Sequence, residues 1–78
     1  MISFLVSLVP TDFWHRHFLA YDPNYHKLGN CDLVRGVWYF TPADSPDSFM
    51  GFTRDDAVRS WLTSVKGSGF SAHVLVED

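Results

Sequence analysis

Apolar and polar positions alternate in several separate stretches of this chain, and each stretch carries its own punctuation. Residues 2–9 are rich in β-branched and aromatic side chains and run into Pro10-Thr11-Asp12, a pattern that predicts a first strand ended by a turn. Residues 13–21 place Phe13, His15, His17, Leu19 and Tyr21 on one face and Trp14, Arg16, Phe18 and Ala20 on the other, which predicts a second strand. Trp14, Phe18 and Tyr21 also fall at i, i+4 and i+7, so a short helix capped by Thr11 or Asp12 is the competing assignment. Asp22-Pro23-Asn24-Tyr25 and Leu28-Gly29-Asn30 then mark a loop or an irregular hairpin.

Residues 32–41 form a β-rich run with Trp38 and Phe40 on one face and Val37 and Tyr39 on the other, and Gly36 inside it marks a bulge or a close backbone approach. Residues 42–51 have no period and predict a connecting loop. Thr53-Arg54-Asp55-Asp56 has the form of a helix start, with a threonine cap, an acid three places on and carboxylates where the helix dipole favours them. Ala57, Val58, Trp61, Leu62 and Val65 give that helix one apolar stripe, and Gly67-Ser68-Gly69 stops it. Residues 70–77 alternate Phe70, Ala72, Val74 and Val76 against Ser71, His73, Leu75 and Glu77, predicting a last half-buried strand.

This order predicts a single α+β domain over residues 1–78, with a three- or four-stranded, mainly antiparallel sheet and one main helix packed on one face. One helix covers only part of such a sheet. The second face is therefore expected to be open and to carry the aromatics left over from residues 17–21 and 37–40.

Composition sharpens this picture. Apolar residues make up 46% of the 78-residue chain and charged residues 19%, which excludes a disordered segment. A domain this small buries roughly 60% of its unfolded surface, so thirteen aromatics (Phe 7, Trp 3, Tyr 3) should exceed what its core can hide. A net charge of −3 and scattered basic residues give no footprint for nucleic acid, and nine dispersed acids are too few to imitate DNA. The densest acids, Asp44, Asp47, Asp55 and Asp56, suit a solvated loop and a helix start. Cys31 is the lone cysteine, which rules out an internal disulfide and suits a reducing cytoplasm. The apolar opening lacks a basic flank and a cleavage pattern, so it is expected to be a strand rather than a leader, and no run of ~18 apolar residues predicts a membrane helix.

Candidate chemistry is thin. His15 and His17 share a face if residues 13–21 are a strand, with His26 and His73 as further ligands, but H-x-H with a single cysteine is short of a zinc signature. Gly69-Phe70-Ser71-Ala72-His73 lacks the strand-to-helix setting and the second glycine of a nucleophile elbow. Gly67-Ser68-Gly69 lies at a helix C-terminus, where the dipole repels anions. No catalytic residue, metal or cofactor is expected. Trp61 belongs to the core, while Trp14, Tyr21, Tyr25, Trp38 and Tyr39, with Arg16 and Arg35 beside them, form the expected partner-binding set, because aromatic and arginine side chains anchor protein interfaces.

The stretch Ser60-Trp61-Leu62-Thr63-Ser64-Val65-Lys66-Gly67-Ser68-Gly69 resembles the helix and its exit in small phage-encoded type I-F anti-CRISPR proteins, and an apolar strand followed by Leu19-Ala20-Tyr21-Asp22 is similar to their opening. The resemblance implies a compact α+β protein that binds a subunit of a bacterial RNA-guided CRISPR surveillance complex and obstructs it sterically in the host cytoplasm, without catalysis. It also implies Tyr21 as a contact. Residues 42–51, with Phe49-Met50, have no counterpart in that family, which leaves a different bacterial target open. The expected function is thus a small inhibitor that blocks a bacterial defence complex by occupying a protein surface, with no direct contact to nucleic acid or membrane. The alternatives are a homo-oligomeric module, such as a homodimer, and a small metal-dependent or hydrolytic enzyme using His15, His17 and Cys31.

Overall fold

In the computed structural model the described residues, 2–77, form six strands and one helix. They are β1 (Ile2–Pro10), β2 (His17–Tyr21), β3 (Lys27–Val34), β4 (Val37–Pro42), β5 (Phe49–Gly51), α1 (Arg54–Lys66) and β6 (Phe70–Val76). All six strands belong to one curled sheet in the order β5-β4-β3-β2-β1-β6. The predicted three- or four-stranded, mainly antiparallel sheet is therefore corrected to a six-stranded mixed half-barrel, in which one short helix is a minor part.

Three local features account for the extra strands. Residues 32–41 are not one strand, because Arg35 and Gly36 both take positive φ (52° and 81°) and fold the run into a two-residue hairpin with Val34 opposite Val37. That turn matches the right-handed twist of its flanking strands, and an arginine in it bears the cost of left-handed backbone. The Gly29 segment, expected to be a loop, is strand, because β3 needs glycine there: a Cβ would lie 2.2 Å from the carbonyl oxygen of Thr41 on β4. The short apolar run Phe49-Met50-Gly51, placed in a loop by its lack of period, pairs with β4 through Phe40 opposite Phe49.

The mixed character comes from the chain end. After α1 crosses the sheet, β6 returns parallel to β1, with Ile2 opposite Phe70 and Leu8 opposite Val76, as a helical crossover allows. Residues 13–21 also divide: only His17–Tyr21 is strand, and residues 11–16 form a tight loop.

The concave face of the sheet holds the core. Phe18, Cys31 and Phe40 stand opposite one another across β2, β3 and β4, large, small and large, all at most 1% exposed. Val6 and Leu8 of β1 and Ala72 of β6 continue the layer. Into it α1 inserts Ala57, Val58, Trp61 and Leu62, and the Trp61 indole packs 4.8 Å from the Phe40 ring and 6.5 Å edge-on to Phe4. Val65, expected on this stripe, lies in the last turn of the helix and is 54% exposed. Thr53 caps the helix by accepting from the Asp56 N–H (3.1 Å), and Gly67, at φ 86°, ends it while its N–H bonds the Thr63 carbonyl.

α1 also closes one edge of the sheet. The Ser60 hydroxyl donates to the Met50 carbonyl (3.2 Å), and Gly51 lies so close that a Cβ on it would sit 2.3 Å from the Ala57 amide nitrogen. Gly51→Ala must therefore push the helix off β5. The expected loss is about 1–3 kcal/mol of stability, read as a lower urea midpoint. Gly69→Ala, where a Cβ meets nothing within 4 Å, should leave the midpoint in place.

Candidate binding surface

Strand directions decide which loops share an end. β1 and β3 run toward one end of the half-barrel and β2 and β4 away from it, so the β1–β2 loop, the β3–β4 turn and the β5–α1 junction collect there. At this rim Phe13 and Phe52 are each 88% exposed and Trp14 is 71% exposed, with Val34 also open to solvent. Arg16 and Arg35 are exposed beside them and, among the described residues, make no ion pair. Arg54 instead leans inward over the Phe18 ring, 5.2 Å from its centroid.

The β1–β2 loop is held by one side chain. A single oxygen of Asp12 accepts the backbone N–H groups of Arg16 (2.9 Å) and His17 (3.0 Å), while the Thr11 N–H and hydroxyl both bond the His17 carbonyl. The Leu33 N–H donates to the Arg16 carbonyl (2.8 Å), which ties the loop to the neighbouring hairpin. On this frame the Phe13 and Trp14 rings meet edge to face, 5.7 Å apart, and project together. Rings already in mutual contact have less ordering left to lose when they are buried against something else.

Phe52 reaches the rim for a different reason. It precedes the helix cap, where an apolar residue usually clamps against the fourth helical residue. Here that residue is Ala57, a methyl group already buried under Gly51, so the phenyl is left outside. It becomes the shared wall of two open grooves, one of about 370 Å³ with Val37 and Met50, the other of about 480 Å³ with Trp38 and Arg59.

The seven residues expected to bind a partner divide among four places. Trp14, Arg16 and Arg35 lie at the rim. Tyr21 and Tyr25 lie at the opposite end, their rings 6.4 Å apart, with Tyr25 67% exposed in a turn at positive φ (61°). Trp38 points into the concave side against Phe18 (5.9 Å), and Tyr39 lies on the convex face opposite Asp32. Phe13 and Phe52 escaped the sequence reading. The signals that expose them are the turn chemistry of Thr11-Asp12 beside Phe13 and the small residue at position 57 behind Phe52.

The histidines are not brought together. His15 has positive φ (54°) and its ring packs near Phe18, 6.0 Å away, whereas His17 turns to the convex face and its Nδ1 contacts Asp32 at 2.6 Å. A carboxylate only accepts, so Nδ1 carries the proton there. The other Asp32 oxygen accepts from the Asn30 amide at 2.6 Å. His26 sits at the far end, 3.7 Å from Asp22, and His73 is on β6 opposite Leu5. Cys31 faces the core from the other side of the sheet, and burial, aided by the Asp32 charge, pushes its thiol up to about 12. Among the described residues no group of three or more His, Cys, Asp or Glu is placed to hold a metal ion, and no helix is long and apolar enough to cross a membrane. Compared with protein families, curated proteins and solved structures, the chain matches none.

Two predictions follow the electrostatics. For Asp12, desolvation opposes ionisation, but the N–H groups of His17 and Arg16, the His17 charge and the Trp14 N–H outweigh it and hold the carboxyl below its ordinary 3.8. The folded value is depressed, so the loop gains stability above the ordinary carboxylate value and loses it as pH falls through the depressed one. The Arg16 and His17 amide resonances should therefore shift together in acid, below pH 3.8, and Asp12→Asn should abolish that step. Native Cys31 should resist alkylation at mildly alkaline pH and react once urea unfolds the chain, since a protonated, buried thiol is a poor nucleophile.

Proposed function

We propose that this chain is a small non-catalytic binding protein that acts by steric occlusion, seating its rim of Phe13, Trp14, Arg16, Arg35 and Phe52 on the surface of a bacterial protein complex. The observation that carries the reading is the edge-to-face Phe13–Trp14 pair, mostly exposed on a loop braced by Asp12. Large rings held out in water with arginines alongside have the composition of an interface hot spot, and a monomer gains nothing from them otherwise. The resemblance of the helix exit to type I-F anti-CRISPR proteins supports a phage-encoded inhibitor of a defence complex working in the host cytoplasm.

That resemblance points to Tyr21, at the end of the sheet away from the rim, so the two contact sets can be told apart. The experiment is a pull-down from bacterial lysate with tagged protein, followed by titration of the recovered partner. Trp14→Ala and Phe52→Ala should each weaken binding by about 30-fold or more, and Tyr25→Ala should leave it unchanged. Recovery of a partner that tolerates both rim substitutions but is lost with Tyr21→Ala would move the contact to the opposite end.

A further inference from the structure

The rim carries two charges that its own surroundings do not balance. Arg16 lies in the loop of the Phe13–Trp14 pair, and Arg35 opens the two-residue turn between β3 and β4. Their backbones are neighbours, because the Arg16 carbonyl accepts the N–H of Leu33 (2.8 Å), two residues before Arg35. Both residues are exposed, and among the described residues neither side chain makes an ion pair, a hydrogen bond or a ring contact. The acids of this end are engaged or distant. Asp12 accepts the N–H groups of its own loop, and Asp32 holds His17 and Asn30. Asp55 and Asp56 lie beside Arg54 and Arg59 on α1, and Glu77 follows β6, two strands away from β2.

Arg35 also holds its place at a cost to the fold. Its φ of 52° is the region in which two-residue hairpin turns favour Asn or Gly. Left-handed backbone at a residue without Gly's freedom persists where something other than local stability keeps it, and binding sites are one such place.

Resting on the reading of the rim as a partner-binding surface, we propose that the protein surface it meets is an apolar hollow edged by carboxylates. The Phe13, Trp14 and Phe52 rings enter the hollow, and Arg16 and Arg35 each pair with an Asp or Glu of the partner. A guanidinium fork matches a carboxylate bidentately, and rings that exclude water around such a pair strengthen it. Discrete carboxylates suit this end better than a plane of phosphate. Taken whole it is not cationic, since Asp12, Asp32, Asp55, Asp56 and Glu77 outnumber Arg16, Arg35, Arg54 and Arg59, so an anionic bilayer or a nucleic acid backbone gains no net attraction. A second copy of the chain offers Asp44 and Asp47 at its far end, but residues 43–48, which carry them, have no large apolar side chain to receive the rings.

The test is an NMR titration of the intact chain with two short synthetic peptides that share a Leu-Phe-Leu centre, one flanked by glutamates and the other by lysines, each taken to about 2 mM. The glutamate peptide should move the Trp14 indole N–H and the Arg16 and Arg35 amides, and bind at least about tenfold more tightly than the lysine peptide. Most of that affinity should be lost between about 50 mM and about 500 mM salt. Arg16→Glu combined with Arg35→Glu should reverse the preference between the peptides. Arg35→Asn should weaken the glutamate peptide by about fivefold or more while raising the urea midpoint of the fold, a combination that a merely structural arginine does not give. Equal binding of the two peptides at Trp14 overturns the carboxylate assignment and leaves the binding rim standing, whereas no response at Trp14 to either removes both. Rim shifts produced by phosphatidylserine vesicles, or by rising protein concentration alone, in place of the glutamate peptide overturn it as well, by giving the surface to a bilayer or to a second copy.

Discussion

The seating of Trp61 is the contact on which the rest of this molecule depends. One indole, 8% exposed, fills the hollow of the half-barrel between the Phe40 and Phe4 rings, and only a sheet curved enough to enclose it can bury it. The curvature is made possible by small residues on the concave side of neighbouring strands, Ala20 opposite Gly29 and Cys31 between Phe18 and Phe40. Placing that indole brings α1 against β5 at one margin and β6 at the other, so one helix of thirteen residues both fills the core and closes an edge. The convex side and the loop ends are left to water.

Much of this was legible in the chain, and the failures have identifiable physics. The helix was readable to its caps, because Thr53, Asp56 and Gly67 act through local hydrogen bonds that need no tertiary context. β1 was readable from its β-branched and aromatic run ahead of Pro10, and β6 from alternation. The number of strands was not. Arg35-Gly36 is a poor hairpin signal, since arginine rarely takes positive φ, and the strand run on either side of it looked continuous. Gly29 looked like a loop residue because its role, letting the Thr41 carbonyl approach, depends on a strand distant in sequence. Parallel pairing of β1 with β6 is likewise a long-range event with no local mark.

The rim followed the same division. Arg16, Arg35 and Trp14 were picked out by residue type, but their common location follows from strand directions that only the topology supplies. Trp38 shows the converse. Its type marks it as an interface anchor, yet its register places it on the concave side against Phe18. The surplus of rings over core volume is real, with Phe18, Phe40 and Trp61 buried and Phe13, Trp14, Tyr25 and Phe52 largely in water. It is spent at loop tips rather than spread over an open sheet face, whose convex side instead carries the His17–Asp32–Asn30 hydrogen bonds and the half-shielded Tyr39.

Loop tips and a strand edge differ in what they can offer a partner. The rim presents side chains, so its selectivity rests on the shape of rings and the reach of two guanidinium groups. The β6 edge presents backbone, whose main-chain hydrogen bonds carry little selectivity of their own. The rim lies at the end of the half-barrel and the edge along its side, so the two are separate surfaces.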